Sequence, residues 1–165
     1  CIEKLGCEVG EARDLRVLPK IDGLTTSIIL REKQVEILEK LQQVNYNGLI
    51  TARTGFGKTL VSIKICELLK TTMLFIASRT SLIENLLKDC QTFNVDPNLI
   101  TKVDTEWLSN PIITPIMHVT TSALNNEDIL TALNDKIGLT ICDEIHMGIT
   151  SEIARNNMYR INSKF

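Results

Sequence analysis

A chain of 165 residues, 44% hydrophobic and 23% charged, has the size and composition of one globular domain with a buried core. No apolar run approaches the roughly 20 residues that a membrane-spanning helix needs. A net charge of −2 excludes an overall basic field, though not a local stripe of cations that grips nucleic acid. The five cysteines, Cys1, Cys7, Cys66, Cys90 and Cys142, are odd in number and lack CxxC spacing, which argues against a zinc centre or disulfide scaffold and for a reduced, soluble, intracellular protein. The first residue is Cys1, not Met, and no targeting signal follows, so the chain is expected to be a piece of something longer.

Residues 1–27 mix charge with Gly6, Gly10, Pro19 and Gly23 without a sustained period, and read as a tail, an edge hairpin or the end of a preceding region. From residue 28 to 44 the spacing predicts a helix: Val35, Leu38 and Leu41, with Ile37 and Val44, recur on one face, and Glu36, Glu39 and Lys40 take the other. Residues 48–51 read as a short buried strand. Residues 60–69 are expected to be a helix with Val61, Ile65, Leu68 and Leu69 inward, 72–77 a strand, and 81–90 a helix carrying Leu82, Ile83, Leu86, Leu87 and Cys90. Two more strands at 99–103 and 116–121 flank a turn-rich insert around Asn110 and Pro111. A short helix at 127–133, an apolar run at 137–142 and a weaker helix at 151–162 close the chain. Apolar strands alternating with helices point to an α/β fold, a mostly parallel sheet with helices on both faces and ligands at the strands' carboxyl ends.

The stretch around which this pattern is arranged is Ala52-Arg53-Thr54-Gly55-Phe56-Gly57-Lys58-Thr59. A Gly-rich turn between a strand and a helix aims several backbone N–H groups and the positive helix end at one spot, where a triphosphate can sit. Lys58 adds a charge for the β/γ-phosphates, and the Thr59 hydroxyl is a ligand for Mg²⁺. Thr54, Gly55, Phe56 and Gly57 complete the cradle. Ala52 stands where the usual pattern has glycine, and the competing explanation is a chance Gly-rich turn before a helix. At the end of the last apolar run stands Asp143-Glu144-Ile145-His146, 143 − 58 = 85 residues beyond Lys58. An acid there can complete a phosphate site by holding the metal, with its neighbour orienting water. It could instead cap the next helix.

Together these two stretches resemble motifs I and II of the superfamily-two helicases of the DExH type, in which alanine commonly replaces the first loop glycine. Leu30-Arg31-Glu32-Lys33-Gln34 resembles the LRxxQ form of the adenine-reading element in helicases of the XPB, RecG and UvsW kind, because a glutamine amide can pair with adenine's donor and acceptor together. Phe75-Ile76-Ala77-Ser78-Arg79-Thr80-Ser81-Leu82 is similar to motif Ia, with Ser78 where the family usually has proline, and Val119-Thr120-Thr121-Ser122-Ala123-Leu124 resembles the later strand-end threonine motif.

The resemblance covers residues 28–165 and implies a RecA-like P-loop NTPase domain, the first motor domain of an ATP-dependent helicase or translocase. It implies ATP held by the loop with Arg31 and Gln34 beside adenine, Mg²⁺ on Thr59 and Asp143, and Glu144 aligning water. His146 would couple the site to a second RecA-like domain. The implied nucleic acid, DNA more than RNA, lies along Arg79, Thr80 and Thr120, and no membrane is involved. His118 reads as structural. A SAT-like motif and the second motor domain with its arginine finger are expected beyond Phe165. Two alternatives stay open: a restriction-enzyme or chromatin-type translocase on duplex DNA, and a P-loop domain that binds nucleotide only as a switch.

Overall fold

Four of the apolar runs become parallel strands: β1 (Met73–Ala77), β2 (Ile100–Lys102), β3 (Ile116–Thr120) and β4 (Leu139–Cys142), in the order β2-β3-β1-β4. The computed structural model describes residues 20, 21, 23–143, 156, 157, 160, 161 and 163. Every residue of β1 is buried, as expected of a central parallel strand covered on both faces. Register sets Ala77 opposite Thr120 and Ile76 opposite Cys142, so β3, β1 and β4 end side by side.

Alternation along the strands divides the core in two. Met73, Phe75, Ile116 and Leu139 face one way and pack with Leu38 and Leu41 of α1 (Glu32–Gln43), Val61 and Ile65 of α2 (Lys58–Leu69) and Ile83 and Leu86 of α3 (Thr80–Thr92). Leu74, Ile76, Met117 and Val119 face the other way, against Trp107, Leu124, Ile161 and the Ile129, Leu130 and Leu133 side of α4 (Glu127–Leu133). Each such fully buried side chain contributes roughly 1.5–3 kcal/mol. The innermost helix is α2, apolar nearly all round, with Ile63 and Cys66 fully buried beside Val61. Burial pushes the Cys66 thiol up to about 12, so it stays protonated and donates to the Thr71 and Pro115 carbonyls.

Local signals set the edges. Asn126 caps α4 by accepting from the Asp128 and Ile129 amides. Asp104 accepts from the amides of Glu106 and Trp107 and starts the 3-10 turn Trp107–Ser109. The segment before α1 is tied down: the Thr26 amide and hydroxyl both donate to the Glu67 carboxylate at 3.0 Å, and Lys64 pairs with Glu67 at 2.6 Å. Burial pushes Glu67 up, but these bonds outweigh it and hold the carboxyl below its usual value.

Three expectations need correction. Residues 48–51 form no strand: Leu49 is 70% exposed and the segment joins no ladder, because an apolar run becomes a strand only where a neighbour offers its amides and carbonyls. In α1 the inward face is rotated, with Gln34 buried at 2% while Val35 and Val44 are exposed, since α1 turns its amide-bearing side to the phosphate loop. In α2, Leu68 is half-exposed and Ile63 takes the inner position. The expected helix at 151–162 and the tail at 1–27 lie largely outside the described residues, of which 156, 157 and 160 are helical.

Candidate nucleotide and nucleic-acid site

Residues 52–59 form a tight turn that runs into the start of α2. Gly55 and Gly57 adopt left-handed φ values of +79° and +86°, which a side chain resists, and the Phe56 amide closes the turn onto the Arg53 carbonyl at 3.2 Å. Gly57 is the N-cap of α2, and no side chain caps that end, so the first amides of the helix are open to a ligand. Lys58 lies in the first turn, and its Nζ donates to the Ala52 carbonyl at 3.1 Å, a neutral partner that leaves its charge without an ion pair among the described residues. Among the described residues the Thr59 hydroxyl has no hydrogen-bond partner.

Beside the loop is a cleft of about 570 Å³ lined by residues 31–34 of the α1 start and residues 53–56. Its walls carry Arg31, Lys33 and Arg53 with one acid, Glu32, and among the described residues none of the three cations forms an ion pair. Lys33 and Arg53 were not singled out from sequence, although both fall inside the quoted motifs. Gln34 joins the two walls. Its Oε1 accepts from the Arg31 amide at 2.9 Å, and its Nε2 donates to the Phe56 carbonyl at 2.7 Å.

Asp143 directly follows β4, and its amide continues the ladder onto the Ile76 carbonyl at 3.1 Å. Ile141, two residues before it, and Leu60, next to Thr59, pack on the same apolar cluster, so α2 begins on the side of the sheet that β4 turns toward it. Glu144 and His146 lie outside the described residues. Thr59 and Asp143 offer hard oxygens, which suit Mg²⁺ completing its shell with phosphate and water. Among the described residues no cluster of three His, Cys, Asp or Glu side chains makes a metal cage, so phosphate oxygens would have to complete the shell.

The residues proposed for nucleic acid meet at the neighbouring strand ends. Ser78 follows β1 with its Oγ buried and, among the described residues, without a hydrogen-bond partner. Arg79 is the extended N-cap of α3, which has no side-chain cap, and Arg79 and Thr80 are exposed. Thr120 stands across from Ala77, its Oγ1 accepting from the Ala123 amide at 3.2 Å. Open amides, a cation and hydroxyls on one edge can hold phosphate. His118 is buried under this edge. Burial lowers its pKa, Lys102 nearby lowers it further, and Asp104 opposes them.

A parallel α/β sheet with a glycine-turned loop opening an uncapped helix is a RecA-like P-loop domain. The chain belongs to the family described as type III restriction enzyme, res subunit (ResIII), whose model matches residues 27–165, and is a first RecA-like motor domain of the superfamily-two helicase type. It is also similar to "Putative helicase 161L" of Invertebrate iridescent virus 6, 25% identical over 136 residues, which are 80% of this chain and 29% of that protein. The chain thus spans under a third of that relative. Among the described residues no helix is long and apolar enough to cross a membrane.

Proposed function

We propose that this chain binds ATP with Mg²⁺ and hydrolyses it to drive movement along nucleic acid, DNA rather than RNA, together with a second RecA-like domain. The observation that carries the reading is the pair of left-handed glycines, Gly55 and Gly57, feeding the uncapped end of α2 beside Lys58, whose ammonium meets only the Ala52 carbonyl among the described residues. A triphosphate against residues 54–59 takes the open amides, and Lys58 leaves the Ala52 carbonyl for the β/γ-phosphates. Arg31 and Gln34 stand on the side of the base. Thr59 and Asp143 would hold Mg²⁺, which when bound neutralises phosphate charge. Glu144 orients the attacking water and His146 couples the site to the second domain. Arg79, Thr80 and Thr120 bind backbone phosphates. The preference for DNA rests on the LRxxQ form alone.

Lys58→Ala is the direct test: calorimetric titration with Mg·ATP should show binding lost with the fold intact, because the side chain's one hydrogen-bond partner among the described residues is a half-buried loop carbonyl. Unchanged affinity overturns the reading. The 165-residue chain by itself is expected to turn ATP over slowly, since an arginine finger from a second domain is worth roughly 10³–10⁵ in rate. Turnover by the chain alone at the rate of an intact helicase, lost in Glu144→Gln, overturns the need for that domain.

The family match favours a second reading, a restriction-type motor that moves on duplex DNA without separating strands. ATP turnover stimulated by blunt duplex with no strand release supports it; release of a strand from a tailed duplex supports the helicase.

A further inference from the structure

After Thr120 the chain passes through the 3-10 turn Ala123–Asn125 into α4, and this loop is fastened at both ends. Thr120 Oγ1 accepts from the Ala123 amide, and Asn126 caps α4. The middle of the loop is held from a distant part of the sequence. Asn157 Nδ2 donates to the Leu124 carbonyl at 3.0 Å and to Asn125 Oδ1 at 3.2 Å, which uses both of its N–H groups. Arg160 adds a two-pronged bond to the Glu127 carboxylate, at 2.7 and 2.5 Å, and Ile161 is buried in the same core as Leu124. Spacings of three and four put Asn157, Arg160 and Ile161 on one side of their turn. That core lies on the α4 side of the sheet, whereas α1 and α2, with the phosphate loop, pack on the other.

We propose that Asn157 and Arg160 are positioning residues that hold the 120–127 loop in the shape with which Thr120 meets a nucleic-acid phosphate. The proposal rests on the nucleic-acid reading above and deepens it. Among the described residues the Thr120 hydroxyl makes no bond beyond the one from Ala123, so its proton is left to donate to a phosphate oxygen. The Ala123 amide sets the direction of that hydroxyl, and Asn157 fixes the turn that carries Ala123.

Fluorescence anisotropy of the full chain on single-stranded DNA, duplex DNA and RNA over a salt series, with Mg·ATP calorimetry in parallel, tests this. Asn157→Ala should weaken nucleic-acid binding about five- to tenfold, the effect of one lost hydrogen bond on an equilibrium. The slope of log affinity against log salt should stay as in the parent, because hydroxyl and amide contacts release no counterions, and Mg·ATP affinity should also stay. Nucleic-acid affinity equal to the parent's overturns the proposal. So does an equal loss of both affinities, which marks a general loosening of the fold. Glu127→Gln and Arg160→Gln change the net charge in opposite directions, yet each should weaken nucleic-acid binding. A gain in the first with a loss in the second assigns the effect to the overall field and removes the pair's role, as does no change in either. Should Asn157→Ala fold poorly, these two exposed positions decide the question. A parent chain that binds none of the three nucleic acids overturns the nucleic-acid reading itself, while the Mg·ATP titration still reports on the nucleotide site.

Discussion

Nε2 of Gln34 donates to the carbonyl oxygen of Phe56 at 2.7 Å, a bond that crosses from the first turn of α1 to the phosphate loop. The loop is therefore held from two sides, by α2 through the chain and by α1 through this amide. Gly57 lies at the crossing.

Gly57→Ala is expected to break the arrangement. The new Cβ meets Gln34 Nε2 at 2.6 Å on a backbone with φ of +86°, a conformation that costs a non-glycine residue roughly 1–2 kcal/mol before any clash. Thermal unfolding should fall by several degrees and triphosphate affinity with it. A variant that melts and binds like the parent would show that the loop is free to re-form without Gln34.

At the start of β4, Gly138 donates its amide to the Thr72 carbonyl at 3.1 Å, and its Cα packs on Thr71 so closely that an added Cβ would lie 1.9 Å from Thr71 Oγ1. Gly138→Ala must push β4 off β1. The cost expected for such overpacking is about 1–3 kcal/mol, read as a lower denaturant midpoint at unchanged slope. Because Asp143 sits at the far end of β4, Mg²⁺-dependent nucleotide binding should weaken more than binding without metal.

Among the described residues the buried Nδ1 of His118 has no hydrogen-bond partner, and its pKa is lowered by burial and by Lys102. The folded chain holds it neutral, whereas the unfolded chain takes up a proton near pH 6.5. Its contribution to stability is thus complete above about pH 6.5 and is lost as pH falls through the lower folded value. Melting temperatures between about pH 5 and pH 7.5 should drop on the acid side, and His118→Gln should flatten that drop. An equal drop in the variant would remove His118 as its cause.

Arg79 stands exposed at the uncapped start of α3 above the buried Ser78 hydroxyl. If it meets a backbone phosphate, Arg79→Ala weakens nucleic-acid binding alike for all sequences and lowers the slope of log affinity against log salt by about 1. Fluorescence anisotropy with single-stranded DNA, duplex DNA and RNA over a salt series measures this. A slope equal to the parent's removes Arg79 from the track.

Much of this molecule is local and so was legible in the chain. The helix at 127–133 begins and ends as read because Asn126 caps it and its apolar residues repeat at helical spacing. Strand β1 is legible as a continuous β-prone run and β3 as a strand candidate at 116–121, and the loop's glycines mark the places where the backbone turns left-handed. What tertiary structure alone decided is which partner each group meets. Residues 48–51 have a strand's composition, yet no described neighbour pairs with them, and a ladder cannot be written by one strand. Val35 loses the inner face of α1 to Gln34, a polar residue that periodicity assigns to solvent, because a carbonyl 22 positions away in sequence satisfies its amide. The grouping of Arg31, Lys33 and Arg53 around one cleft likewise follows from α1 docking on the loop. Sequence determined which residues could bind phosphate; packing decided that Gln34 holds the loop and which cations flank it.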